Sequence, residues 1–209
     1  MFLFFDTESN KMLDFKLAAD HPDQARIVSI AAVLTDDALT PVGGFHCLIQ
    51  PDGWAIDEEA GKVHGLTLER CARDGIQIAH AMTMFDALAD RAQTLVAFNI
   101  RWDNKFIRGE RRRLGREDRF GVLREFDPCR AATGPCNLPP TPAMMRAGRN
   151  YNKTPNLSEA CQILLGRPHD KAHNAMADCL ATIDVTRCLR DQFGVDIRGE
   201  FPQSRAACA

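Results

Sequence analysis

The chain opens on a run, Phe2-Leu3-Phe4-Phe5, that is apolar at every position and stops abruptly at Asp6. Such a run is too short for a helix and suits a strand covered on both faces. The stretch Arg26 to Leu34 (R-I-V-S-I-A-A-V-L) has the same character. Strands of this kind need layers on both sides of their sheet, and the rest of the chain must supply them. A third strand is expected over Gly44–Gln50. Pro41-Val42-Gly43-Gly44 supplies turn chemistry before it, so the first strands form a hairpin or meander.

Helical spacing then takes over. Ile78, Ala81, Met82, Phe85, Leu88 and Ala89 make one apolar stripe. Thr94–Phe98 reads as a fourth strand, Trp102–Leu114 as a helix closed by Gly115, and Val122–Phe126 as a fifth strand. Gly134–Pro155 carries five prolines and little periodicity, as expected of a surface excursion with a short helical turn. Asn156 and Glu159 form a capping-box pattern that opens a helix through Leu165. A last helix is expected from about Asn174 to Gln192, with a loosely held tail from Gly194. The expectation is one α/β domain over residues 1–193, followed by a tail over 194–209. Its first three strands are antiparallel and its later strands arrive by helical crossovers.

Composition narrows the class. With 45% hydrophobic and 26% charged residues, the chain is neither disordered nor low in complexity. No apolar run approaches the roughly 18 residues of a membrane span, and Met1–Asp6 lacks the basic flank of a secretory signal. The eight cysteines include no C-x-x-C pair, which argues against structural zinc and for reduced thiols in a cytoplasmic setting. A net charge of −2 points to no partner.

Three places put acid where folding alone would not. Asp6 and Glu8 end the first strand, and residues two apart on a strand share a face. Like charges that close repel unless a cation lies between them. Asp103 follows the fourth strand in the first turn of a helix, where the helix dipole alone would favour an acid; the end of a strand in an open α/β sheet is also where ligand sites gather. Asp178 lies on a helix that Met176, Cys179, Leu180 and Ile183 make apolar around most of its circumference. An ionised carboxylate there costs several kcal/mol unless it is paired or metal-bound. His173, just before the expected cap Asn174, sits at the entrance of the same helix.

The order D-x-E, then N-x-x-x-D from Asn99 to Asp103, then H-x-x-x-x-D from His173 to Asp178 resembles the DEDDh family of 3′–5′ exonucleases. That family includes DnaQ-like proofreading subunits, RNase T and oligoribonuclease. Val63-His64-Gly65-Leu66-Thr67 is similar to the family's V-H-G-I-T, and Glu110 to Gly115 resembles its E-x-x-R-x-G helix end. The chain departs from the family at Phe98, where the family often has His, and at Ser9-Asn10, where it often has Thr-Gly. The resemblance implies an RNase H-like fold, a five-stranded mixed sheet flanked by helices.

It also implies a site for two Mg²⁺ or Mn²⁺ ions held by Asp6, Glu8, Asp103 and Asp178, with His173 as general base on the attacking water. Thr7, His64, Asn99 and Trp102 would lie along the nucleotide, and Arg101 and Arg108 would meet its phosphates. Substrates implied are 3′ ends of DNA, single-stranded or frayed, released as nucleoside monophosphates. The alternatives are RNA trimming and a non-catalytic nucleic-acid or polymerase-binding module on the same fold. Any DNA polymerase partner would be a separate chain. The charge fits this reading once divided: residues 101–124 carry nine basic and four acidic side chains, a basic track beside an acidic site.

Overall fold

The computed structural model describes residues 1–117, 120–170 and 172–202. Five strands form one mixed sheet in the order β3-β2-β1-β4-β5: β1 Phe2–Ser9, β2 Ile27–Thr35, β3 Pro41–Leu48, β4 Thr94–Val96 and β5 Arg124–Phe126. The first three pair antiparallel, while β4 lies parallel to β1 and to β5. β2 is buried along its whole length, as its unbroken apolar sequence requires.

Helices cover both faces. Short helices α1 (Glu58–His64) and α2 (Leu68–Asp74) precede α3 (Ile78–Ala89), and α4 (Arg101–Arg113) follows β4. With α3 and α4, one face buries Leu3, Phe5, Ile30, Leu34, Phe85 and Ile107. Phe5 and Phe85 meet edge to face at 5.3 Å between ring centres. After β5 come the short turns α5 (Pro128–Ala131), α6 (Thr133–Cys136) and α7 (Pro142–Arg146), then α8 (Leu157–Leu164) and α9 (Ala175–Phe193). α9 packs across β1 and β2 and buries Phe4, Val33, Cys179 and Ile183 on the other face. Among the described residues no helix is long and apolar enough to cross a membrane. The seven described cysteines are all free thiols, and Cys208 lies outside the described residues.

Several expectations are corrected. β3 begins at Pro41, so Pro41-Val42-Gly43-Gly44 is strand and not turn. The chain reverses one step earlier, where Asp36 accepts from Leu39 N–H and Thr40 N–H, and Leu39 takes a left-handed φ of 62°. Pro is tolerated as the first residue of an edge strand because no partner needs its N–H. Residues 120–122 form a 3-10 turn, which shortens the expected fifth strand. Two short helices, α6 and α7, occupy the proline-rich excursion, where one turn was expected. The chain beyond Gly194 is not loose as far as the described residues extend. Glu200 exchanges both backbone hydrogen bonds with Glu125 at 2.7 and 3.1 Å, and Ile197 is buried. Residues 203–209 lie outside the described residues.

Candidate active site

The sheet itself makes the crevice. β1 pairs with β4 only through Phe2–Phe4, because β4 ends at Val96 and the chain turns away at Asn99 with φ 68°. Asp6, Thr7 and Glu8 therefore project beyond the last pair with β4. α4 starts in that gap and delivers Asp103 from its first turn. Thr7 locks it there: its N–H and its hydroxyl both donate to Asp103 Oδ1, at 2.9 and 2.7 Å. From the opposite layer α9 delivers Asp178, also from a first turn, with Asn174 capping the helix through Ala177 N–H.

Two of the carboxylates meet at the histidine. Glu8, His173 and Asp178 each present a ligand atom within 4.8 Å of the others. Asp6 and Asp103 join this group through their charges. Burial, then the charges of Asp103, Asp178 and Glu8, push Asp6 well above the usual carboxylate range. Burial first, with Asp178 and Asp103 behind it, raises Glu8 to about 8. Burial also raises Asp103, to about 7, although the Thr7 hydrogen bonds pull the other way. Asp178 is raised by burial against the pull of His169 and His173. Buried acids that push one another's protons on are oxygen-only donors in want of positive charge, the donor set of a hard divalent cation.

His173 stands at the rim with its side chain exposed and a left-handed φ of 65°, and its N–H donates to Asp178 Oδ2 at 3.0 Å. His169 went unremarked in the sequence. Its ring is almost wholly buried, and its Nε2 meets Asp178 Oδ1. It lies on an irregular stretch where neither helical nor strand spacing applies, so the only signal was a second histidine four residues before His173. Asp127 was likewise missed. It caps α5, accepts Asn99 N–H at 2.9 Å, and its charge adds to the pressure on Asp103.

The expected nucleotide contacts divide. Asn99 holds the positive-φ turn between β4 and α4, a conformation asparagine tolerates better than most residues. His64 ends α1; its Nδ1 accepts Leu66 N–H, so Nε2 carries the proton and faces Ser9 O at 3.2 Å. Burial lowers its pKa, the Ser9 carbonyl opposes that, and the nearby His173 charge adds to it. Trp102 packs on the core and meets Phe15 edge to face at 4.7 Å, while the Arg101 guanidinium lies over the same Phe15 ring at 4.0 Å. Asn10, one of the departures from the resembled family, is buried and ties the backbone of Arg26 and Ala55 to the end of β1.

The basic track is mostly internal wiring. Arg108 pairs with Glu125, Arg111 and Arg116 with Asp86, Arg112 with Asp20 and Arg113 with Glu110. Lys105 donates to Asp14 O and Leu17 O and so pins the β1–β2 loop on α4. Arg101 has no carboxylate partner among the described residues. Asp118 and Arg119 lie outside them.

The fold is shared with solved nucleases. Exonuclease I of E. coli in complex with a dT13 oligonucleotide matches at a TM-score of 0.71 and 20% identity, over 92% of this chain and 41% of that one. The zinc-bound form of the E. coli exonuclease I–ssDNA complex matches at 0.69 and 20%, over 90% and 40%. Exonuclease I from Methylocaldum szegediense matches at 0.65 and 22%, over 91% and 40%. The chain therefore spans about 40% of the length of these proteins. No curated protein matches it. Residues 3–186, which hold every carboxylate described above, match the family model described as Exonuclease (RNase T), and the chain belongs to that exonuclease family.

Proposed function

We propose that the protein is a metal-dependent 3′–5′ exonuclease that removes nucleoside monophosphates from single-stranded or frayed DNA ends. The observation that carries this reading is the convergence of Asp6, Glu8, Asp103 and Asp178, with raised pKa values, beside the exposed imidazole of His173. DNA is favoured because the exonuclease I structures that share the fold hold DNA oligonucleotides.

A phosphodiester is anionic, so it resists attack by water and is repelled by these acids. Asp6, Glu8, Asp103 and Asp178 would hold Mg²⁺ or Mn²⁺, which supplies charge neutralisation and an acidified water. The remaining work belongs to the chain. Thr7 fixes Asp103 by donating twice to its Oδ1. His173, on the rim and tied by its backbone to Asp178, takes the proton of the attacking water as general base. Arg101, held over the Phe15 ring at the start of α4, receives a phosphate of the incoming strand.

The test is digestion of 5′-labelled and 3′-labelled single-stranded DNA, and of matched RNA, with Mg²⁺, Mn²⁺ or EDTA. Metal-dependent shortening of the 5′-labelled strand in single-nucleotide steps, with immediate mononucleotide release from the 3′ label, is expected. Internal cuts would make it an endonuclease, and preference for RNA would make it an RNA trimmer. Asp178→Asn should leave no measurable turnover in a folded protein; retention of activity would remove Asp178 from the site.

A further inference from the structure

We infer that His169 is a positioning residue for Asp178, and that this contact sets both a metal carboxylate and the segment that carries the general base. The inference rests on the metal-dependent reading of the site. His169 follows Gly166 and Pro168 on the connection from α8 to α9, where no helix or strand holds the backbone. Its side chain is nevertheless only 6% exposed, because Nε2 is turned inward onto Asp178 Oδ1. Opposite a carboxylate, that nitrogen is the donor.

Asp178 is thereby gripped twice. His169 donates to Oδ1 and the backbone N–H of His173 to Oδ2. A carboxylate oxygen has two lone-pair directions, so one donor on each leaves both oxygens able to accept a cation. Without the imidazole the carboxylate could rotate about χ2, which is broad for aspartate. The same contact closes the chain from residue 169 to residue 178 and brackets His173, whose positive φ leaves it dependent on its neighbours for its place. A donor behind a ligand commonly fixes its orientation, and loss of such a donor costs about 10–100-fold in metal affinity.

Two polar variants separate this role from mere filling of space. His169→Gln can place an N–H near the position of Nε2, whereas His169→Asn places its amide near the position of Nδ1 and falls short of Asp178. Mn²⁺ binding would be measured by titration calorimetry without nucleic acid, alongside steady-state digestion of labelled single-stranded DNA and thermal melts in EDTA. His169→Asn should weaken Mn²⁺ binding by about 10–100-fold and lower kcat more than it raises KM, while His169→Gln recovers most of both.

Equal Mn²⁺ affinity in the Asn variant, the Gln variant and the wild type would overturn the inference, even if the melting temperature fell. Asp178→Asn serves as the control. If it abolishes Mn²⁺ binding and turnover while His169→Asn changes neither, the positioning role is wrong and the metal reading stands. If Asp178→Asn itself binds Mn²⁺ and turns over normally, the metal reading fails first. A Gln variant as impaired as the Asn variant would also count against a donor at Nε2.

Discussion

Glu8 holds its proton up to about 8 because it is buried beside Asp178 and Asp103, and Asp103 holds its own to about 7. The unfolded chain releases both near pH 4. Across the interval up to about pH 8 the folded protein therefore binds more protons than the unfolded one, and stability falls as pH rises. Each retained proton contributes a slope of up to roughly 1.4 kcal/mol per pH unit. His46 and His64 oppose this at lower pH, since burial lowers both and the unfolded chain protonates first. The clean window is pH 6.5 to 8. In EDTA the melting temperature should drop across it, and saturating Mg²⁺ should raise it more at pH 8 than at pH 6.5 because ions replace protons. A metal-free melting temperature that climbs through the window would refute the cluster. Asp6, Glu8 and Asp178 were legible in the sequence because they broke local rules of spacing or burial, whereas Asp103 obeys the helix dipole and stood out only by its place after a strand and in the family's pattern. His169 broke none, since an irregular connection offers no period against which a residue can look misplaced.

At the scale of elements, α4 shows how charge misleads. Its sequence presents a cationic face, yet most of its arginines are anchored to carboxylates of neighbouring elements. Glu110 is the hub: it is 1% exposed, accepts from Arg26 Nε at 2.7 Å and from Ile27 N–H at 3.3 Å, and lies 3.4 Å from Arg113. Removal of one partner from a buried pair strands the other, so Glu110→Ala should cost about 3–5 kcal/mol in urea unfolding. A loss below about 1 kcal/mol would mean that the pair behaves as a surface bridge.

Arg101 is the exception on this helix, and Arg101→Ala should raise KM for single-stranded DNA and lower the salt dependence of binding by about one counterion, with the fold unchanged. An unchanged salt slope would exclude a phosphate contact. β1, β2, α3 and α9 were readable because burial imposes a period or an unbroken apolar run. α1 buries no residue and was invisible for that reason. β3 was misplaced because an edge strand, half free of pairing demands, can accept the glycines and proline that elsewhere mark turns.

Over the whole molecule, the sheet needs its β5 edge closed, and the chain beyond α9 closes it. Glu200 pairs with Glu125, Thr94 Oγ1 donates to Arg198 O at 2.7 Å, and Ile197 enters the core with Phe2, Phe126 and Ile183. Gly199 takes a φ of 71° and passes so close to β5 that a Cβ there would stand 2.4 Å from Glu125 O. Termination after Phe193 would uncover that edge and lose the buried isoleucine, whose side chain alone is worth about 1.5–3 kcal/mol. The truncated protein should therefore unfold at lower urea by at least about 2 kcal/mol. No carboxylate of the site lies beyond Asp178, so digestion at low temperature should survive where the fold does. The loss should show instead as steeper thermal inactivation, because β5 leads directly into Asp127 and the turn that holds Asn99. Equal stability of the two lengths would return residues 194–202 to the role of a passive tail, and abolished activity in a folded truncate would give them a part in the site.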